Sequence, residues 1–216
     1  CPVGVAPYHM GRKGTLTLRR ETFQAFVFDV IESLRAHGIR TVLVVNGHGG
    51  NHAPLQDALP EWREKLGITL DFLEVSQAYT EEDLLEHMQS HREAKTGTLS
   101  DVEVSALSHA SEMETSRMIA AFPGRVRRVT MEEYDEAGLD YESDLSPDVK
   151  KFYERHYGEG QWRKGVSGEN NARDRARQQQ ALLATAEKGE QLLAAMVART
   201  SEVVEAAFAR LRVGLS

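Results

Sequence analysis

The sequence has only one cysteine and no long apolar run. Cys1, the single cysteine among 216 residues, stands at the end of the chain and cannot form an internal disulfide. Chains without disulfides are typical of reducing compartments, so we predict a cytoplasmic protein. No run approaches the roughly 18 apolar residues that a membrane-spanning helix needs, and no basic stretch leads into an apolar one at the N-terminus. We therefore expect no membrane partner.

The sequence also lacks a basic segment. Lys and Arg together number 26 against 33 Asp and Glu, which gives a formal net charge of −7. Because no block of about five or six basic residues could follow a phosphate backbone, we expect no nucleic-acid partner. Hydrophobic residues make up 41% of the chain, which is enough for one substantial core. We predict a single domain over residues 1–216.

The start of the chain is unusual. It begins with Cys1 rather than Met, and Pro2–Ala6 resembles the end of a strand. We expect that an N-terminal segment is missing from this sequence.

Apolar periodicity early in the chain predicts a βαβ unit. Apolar residues recur at helical spacing from Phe23 to Leu34, and Thr41–Val45 is a β-branched run typical of a strand buried on both faces. A glycine-rich loop (Asn46–Asn51), a helix with apolar residues from Leu55 to Leu66, and a strand over Ile68–Phe72 follow. We predict an α/β fold, a three-layer α/β/α sandwich with a mostly parallel central sheet. Such sheets bind ligands beyond the carboxyl ends of their strands, where Asn46–Asn51 lies.

The rest of the chain is predicted to be mainly helical. Thr80–Lys95 and His109–Ala121 have helical patterns, whereas the acidic Glu132–Asp148 is interpreted as a loop or insertion. Arg173–Leu211 is largely helical, and its apolar stripe suits either a cover for the sheet or a contact with a neighbouring subunit.

The loop Asn46–Asn51, with the sequence NGHGGN, is the most informative stretch. Glycines on both sides of His48 expose its ring and let the backbone approach a ligand, which suits a metal ligand. The alternatives are a tight turn with an incidental histidine, or a phosphate-binding loop. The dinucleotide spacing of glycines and the P-loop lysine are both absent, which weakens the second alternative.

A second candidate, His109–Ser116 (HASEMETS), places an imidazole and two carboxylates near a predicted helix start. Imidazole and carboxylate are ligands that divalent metals prefer. The alternative is helix capping, since Ser108 and Glu112 lie near the first turn. A third candidate is His9, although a lone loop histidine is usually solvated. The other histidines are interpreted as surface or capping residues: His37, His52, His87, His91 and His156.

These stretches, in this order, resemble the creatininase family, which also includes formamide hydrolases of deazaflavin biosynthesis and a peptidase of mycofactocin maturation. The resemblance rests on Gly4–Leu18, NGHGGN and HASEMETS, and continues through Gly165–Gly168 and Ala184–Gly189 (ATAEKG). It implies a metal-dependent amidohydrolase that cleaves a C–N amide bond of a small-molecule substrate. It also implies divalent ions (Zn, Mn or Fe), two per complete site, and a homo-oligomer that is hexameric in the family.

The resemblance also implies roles for individual residues. His48 and Glu114 match metal-binding positions, and His109 and Glu112 match catalytic positions. We expect His109 or a nearby carboxylate to pass a proton to the leaving nitrogen. The remaining candidates are assigned to substrate binding: His9, Asn46, Gly49, Gly50 and Asn51.

The sequence departs from the family pattern at several points. Ser111 replaces a glycine, and extra residues stand around Glu169–Leu183. The family's other ligands, a Glu-x-His pair and a bridging Asp, precede everything in this sequence, so we expect the isolated polypeptide to bind metal weakly or not at all. Creatinine-specific enzymes carry Tyr and Glu where Gly49 and Gly50 stand, which favours the formamide-hydrolase and peptidase branches.

Two other functions stay open at this point. One is a catalytically inactive family member or fragment that acts as an oligomer scaffold, which the missing ligands favour. The other, nucleotide binding at the glycine-rich loop, is weaker.

Overall fold

The structure, a computed structural model, describes residues 3–10, 14–75, 110–138, 145–159 and 168–213. The chain divides into two compact units, residues 1–10, 14–83 and 198–216, and residues 11–13 and 84–197. No helix in these described ranges is long and apolar enough to cross a membrane. The strands are β1 (Thr41–Asn46) and β2 (Thr69–Glu74), and the helices are α1 (Arg20–Ala36), α2 (His52–Leu66), α3 (Glu112–Ala121), α4 (Met131–Glu136), α5 (Pro147–Tyr157), α6 (Gly168–Ala181) and α7 (Ala186–Val213).

The first unit contains a parallel βαβ arrangement. Strands β1 and β2 pair in parallel, and the register places Asn46, the last residue of β1, opposite Glu74, the last residue of β2. Helix α2 connects them and ends at Gly67, whose φ of 59° is the left-handed conformation that glycine favours. The predicted α/β class is therefore confirmed. Val45 is 49% exposed among the described residues, so burial of β1 on both faces does not hold at that position.

Helix α1 packs through a face that is rotated from the predicted apolar stripe. Val27 and Phe28 pack against the core, and the ring of Phe28 lies 5.9 Å from that of Trp62. Phe26 and Val30 fall at the edge of this face and are 47% and 46% exposed. The core of the first unit consists of Val5, Phe23, Ile31, Leu55, Ala58, Leu59, Trp62, Leu66, Ile68 and Leu70.

In the second unit, helix α6 packs against α3 and α4. Arg175 of α6 donates hydrogen bonds of 3.1 and 2.8 Å to the two carboxylate oxygens of Asp135 in α4. These hydrogen bonds and the negative charge of Asp135 raise the pKa of Arg175 above its ordinary value. The ion pair therefore persists at any pH at which Asp135 is ionised.

The prediction of a loop or insertion over Glu132–Asp148 is wrong at both of its ends, because α4 and α5 lie there. Helix α4 begins with a capping box: Thr130 Oγ1 accepts from the Glu133 N–H at 3.1 Å, and the Thr130 N–H donates to Glu133 Oε2 at 2.8 Å. The bond from the Thr130 backbone holds the pKa of Glu133 below its ordinary value. The acidic composition of the segment concealed this local helix signal.

The other helix predictions agree with the structure where it describes them. Arg173–Leu211 is helical apart from a break at residues 182–185, and the helix predicted over His109–Ala121 is present from Glu112. The helix predicted over Thr80–Lys95 lies outside the described residues.

Candidate active site

The carboxyl ends of β1 and β2 place two buried polar side chains side by side. Asn46 and Glu74 are each 4% exposed, and Asn46 Nδ2 donates to Glu74 Oε1 at 2.8 Å. The same nitrogen donates to the His48 carbonyl at 2.9 Å, while Asn46 Oδ1 accepts from the His48 N–H at 3.3 Å and from Asn51 Nδ2 at 3.2 Å. Both ends of the Asn46 amide therefore hold the glycine-rich loop in shape.

His48 is half-buried in this loop, and one of its ring nitrogens is already bonded. Nε2 lies 3.1 Å from the carbonyl oxygen of Val5. Because a carbonyl oxygen only accepts, Nε2 carries the proton and donates, which leaves Nδ1 of the neutral ring as the atom with a lone pair. In metal-binding histidines, the ring nitrogen that does not bind the metal commonly donates a hydrogen bond, which fixes the tautomer of the ring.

Close approach of the backbone explains two of the glycines around His48. A Cβ atom at Gly50 would overlap the Val5 carbonyl oxygen and lie 2.7 Å from His48 Nε2, and one at Gly4 would lie 2.7 Å from Asn51 Oδ1. A Cβ at Gly49 would have no neighbour within 4 Å among the described residues. Space therefore requires glycine at Gly50, whereas a side chain at Gly4 would require Asn51 to shift, and no described residue requires glycine at Gly49.

The segment that contains His9 lies against the same loop. The Val5 N–H donates to Asn51 Oδ1 at 2.9 Å, and the Ala6 N–H donates to Thr17 Oγ1 at 2.9 Å. His9 ends a short 3-10 turn, is half-buried, and accepts a bond of 2.7 Å from Thr15 Oγ1 at its carbonyl. The first unit therefore brings together the first two stretches on which the resemblance rests, Gly4–Leu18 and NGHGGN.

Glu74 and His52 were not among the predicted site residues, yet they adjoin this loop. The Glu74 side chain is 5% exposed, and its Oε1 lies 2.9 Å from His52 Nδ1. The edge of the His52 ring contacts Phe72, with ring centroids 5.3 Å apart. His52 is thus more than the surface or capping residue that was predicted. The signal available in the sequence was only an acidic residue just after the predicted strand Ile68–Phe72.

In the second unit, the HASEMETS stretch begins helix α3. Glu112 is 2% exposed and forms an ion pair with Lys188 of α7, whose Nζ also donates to the Leu183 carbonyl at 3.1 Å. Glu114 differs: its side chain is 41% exposed, and its Oε2 accepts from the Ala110 N–H at 2.6 Å. His109, the predicted catalytic histidine, lies outside the described residues.

The replacement of a family glycine by Ser111 has a structural explanation. Ser111 is fully buried and has a φ of −86°, which any residue adopts. The positive φ in this turn, 48°, belongs to Ala110. The backbone at residue 111 therefore does not require glycine.

The ATAEKG segment packs directly on the HASEMETS helix. The Thr185 N–H donates to Ser116 Oγ at 3.2 Å, and a Cβ atom at Gly189 would overlap the Ser116 carbonyl oxygen. With the Lys188–Glu112 ion pair, these contacts join the two stretches in the second unit.

The donor set for a metal is partial among the described residues. The imidazole of His48 suits a divalent ion, but no group of three or more His, Cys, Asp or Glu in the described ranges is arranged to hold one. The metal-binding roles of His48 and Glu114 stay predictions, as do the roles of the other candidate residues.

The polar loop and the buried Glu74 lie at the carboxyl ends of two parallel strands, the place where open α/β sheets commonly bind their ligands. The family model described as creatininase, creatinine amidohydrolase, matches residues 1–204. The chain therefore belongs to the creatininase family. No curated protein sequence matches it significantly.

Solved structures of creatininase share the fold. A crystal structure of creatinine amidohydrolase (creatininase) has 20% identity and a TM-score of 0.55, covering 91% of this chain and 67% of that chain. A mutant creatininase of the Zn-Zn type has 20% identity and a TM-score of 0.57, covering 94% and 71%. A tryptophan-to-phenylalanine mutant has 20% identity and a TM-score of 0.55, covering 90% and 67%.

Proposed function

We propose that this protein is a metal-dependent amidohydrolase that cleaves a C–N amide bond. The supporting observation is the NGHGGN loop, in which the buried Asn46 amide and the close packing of Gly50 against Val5 hold His48 in one orientation. A divalent ion bound there would lower the pKa of a coordinated water and polarise the substrate carbonyl. The Zn-Zn type neighbour supports divalent metal as the cofactor, and the choice among Zn, Mn and Fe is part of the proposal.

The substrate that we propose is a formamide or a peptide-like amide. A side chain at position 50 would occupy the space of the Val5 carbonyl oxygen, so the glutamate that creatinine-specific enzymes carry there has no room in this loop. At Gly49, by contrast, the space that a side chain would fill is not occupied by any described residue within 4 Å. The lack of room for a glutamate at Gly50 argues against creatinine.

The chain's own polar residues have distinct parts in this proposal. Asn46 uses both ends of its amide on the loop and on Glu74, so it shapes the site. Asn51 ties the Val5 segment to the loop. The catalytic roles of His109 and Glu112 stay part of the proposal, although the Glu112 carboxylate is buried and paired with Lys188.

Replacement of His48 tests the proposal. The complete natural polypeptide is loaded with Zn²⁺, Mn²⁺ or Fe²⁺ and assayed on an N-formyl amine, a short peptide and creatinine. We expect His48→Ala to lower both metal content and amide hydrolysis at least about 100-fold, because removal of a ligand costs more than loss of an outer hydrogen bond. His37→Ala, at an exposed position after α1, is the matched control and should behave as wild type. Unchanged metal content and hydrolysis in His48→Ala would contradict the assignment.

A second candidate function is a catalytically inactive family member that serves as an oligomer scaffold. It is favoured by the ion pair of the buried Glu112, a proposed catalytic residue, with Lys188. Metal analysis separates the two, because purified protein without stoichiometric metal that hydrolyses none of the three amides supports the scaffold. The homo-oligomer, the small-molecule partner and the cytoplasmic location stay predictions.

A further inference from the structure

Glu74 is a buried carboxylate with two hydrogen-bond donors. Its side chain is 5% exposed, and its Oε1 accepts from Asn46 Nδ2 at 2.8 Å and lies 2.9 Å from His52 Nδ1. A carboxylate out of water is stable only when such donors replace its hydration. An ionised carboxylate has no proton to give, so the hydrogen between Glu74 and His52 belongs to Nδ1 of the histidine.

This hydrogen bond fixes the chemical state of the His52 ring. With the proton on Nδ1, the neutral ring carries its lone pair on Nε2. The edge contact with Phe72 and the start of helix α2 hold the ring in place. The side chain is 40% exposed, and Nε2 makes no hydrogen bond to any described residue. His52 thus presents a basic nitrogen with a fixed direction, supported by a buried acid.

The His52–Glu74 pair and the glycine-rich loop are linked through one side chain. Asn46 Nδ2 donates both to Glu74 and to the carbonyl of His48. The buried acid, the second histidine and the candidate metal ligand therefore belong to one hydrogen-bonded group at the carboxyl ends of β1 and β2. The His52–Glu74 pair thus lies at the carboxyl ends of the strands, where open sheets bind their ligands. A pair that only neutralised the charge of Glu74 could lie anywhere in the fold.

We infer that His52, oriented by Glu74, is a proton carrier of the amide hydrolysis, and this inference rests on the proposed function. In this role Nε2 accepts a proton as an O–H bond of water breaks and the water oxygen bonds to the amide carbon. The C–N bond then breaks, and Nε2 returns the proton to the leaving nitrogen, the step that was expected of His109 or a nearby carboxylate from the sequence. The products are a carboxylic acid and an amine, and His52 ends neutral.

Two substitutions separate a proton carrier from a structural ion pair. In His52→Asn, the side-chain amide nitrogen stands close to the position of Nδ1 and still donates to Glu74, but nothing replaces Nε2. We expect kcat to fall about 100-fold or more with KM and the melting temperature nearly unchanged, because general acid–base catalysis contributes roughly that factor. Glu74→Gln keeps the shape of the acid and removes its charge, so it should lower kcat less than His52→Asn does. His37→Asn is the control and should retain wild-type kinetics.

The position of the proton on the His52 ring can be measured without substrate or metal, and it tests whether Glu74 orients the ring. Selective ¹⁵N labelling of histidine, with the His52 signals assigned by their loss in His52→Asn, should show the proton on Nδ1 in the neutral wild-type ring. In Glu74→Gln the amide oxygen can still accept from Nδ1, so the preference should be retained, whereas in Glu74→Leu, which has no acceptor, it should be lost. A proton on Nε2 in the wild type would overturn the inference.

The kinetic outcomes distinguish this inference from the proposed function. Hydrolysis by wild type and by His52→Asn at similar kcat would overturn the role of His52 alone and leave the amidohydrolase in place. Absence of hydrolysis by wild type on all three amides would overturn the proposed function, and the role of His52 with it. A raised KM with unchanged kcat in His52→Asn would also contradict proton transfer, because it would show ground-state binding.

Discussion

At the scale of single residues, the site depends on the absence of a side chain as much as on the presence of imidazoles. Gly50 lies so close to the Val5 carbonyl oxygen that no Cβ atom fits, and this approach allows His48 Nε2 to reach the same oxygen. A Cβ atom at Gly49, its neighbour in sequence, would meet no described residue within 4 Å. Of these two adjacent positions, only Gly50 therefore requires glycine for steric reasons.

This difference predicts the effect of two matched substitutions. Gly50→Ala should destabilise the protein by roughly 2–3 kcal/mol, the range for forcing an extra carbon into a packed place, and should weaken metal binding by displacing His48. Gly49→Ala should change stability by less than about 0.5 kcal/mol. Urea unfolding followed by fluorescence measures both, and equal midpoints for the two variants would contradict the steric argument.

At the scale of secondary structure elements, the first turn of α7 packs against α3 and forms an ion pair with its first residue. The carboxylate of Glu112 is almost fully buried and is paired with Lys188, whose side chain is 28% exposed. Gly189 allows the backbone of α7 to approach Ser116 closely. Since Glu112 and Glu114 begin the same helix, this packing sets the position of both carboxylates.

Removal of the lysine charge tests how strongly this pair contributes. Lys188→Met leaves Glu112 buried without its cation and should cost roughly 3 kcal/mol, the lower end for a broken buried pair because Lys188 is partly exposed. Adding Glu112→Gln should recover much of that loss. Lys65→Met is the control, because Lys65 pairs with Glu61 at a site where both side chains are more than half exposed, and it should cost under about 0.5 kcal/mol. Equal losses for the two lysines would contradict the burial argument.

At the scale of the whole molecule, the chain divides into two compact units, and the prediction of a single domain stays a prediction. A single domain implies one cooperative unfolding transition for the whole chain.

A single reporter can test this cooperativity. The chain has two tryptophans, so Trp162→Phe leaves Trp62, buried in the first unit, as the only fluorescent indole. In that background we expect Gly189→Ala, in the second unit, to lower the unfolding midpoint that Trp62 reports. Gly124→Ala is the control, because a Cβ there meets nothing within 4 Å among the described residues. A Trp62 midpoint that Gly189→Ala leaves unchanged, while far-UV circular dichroism shows an earlier transition, would indicate two independent domains.

The sequence alone determined those features that depend on neighbours along the chain. Helical spacing from Phe23 to Leu34 and the β-branched run before Asn46 gave the order of the βαβ unit, because periodicity reflects burial on one face of a local element. The glycine-rich loop and its histidine were visible for the same reason. Helix α4 was also encoded locally, in the Thr130–Glu133 capping box, and was missed only because its acidic composition outweighed that signal.

Tertiary structure decided which distant residues meet. The pairing of β1 with β2 in one register brings Glu74 to Asn46 and within reach of His52. Packing of α7 on α3 brings Lys188 to Glu112, 76 positions away. A strand shifted by one residue would turn Glu74 to the opposite face of the sheet, so its role follows from register, which a single strand does not specify. Local sequence therefore fixed the elements, and the partners of the buried charges were set only when those elements packed.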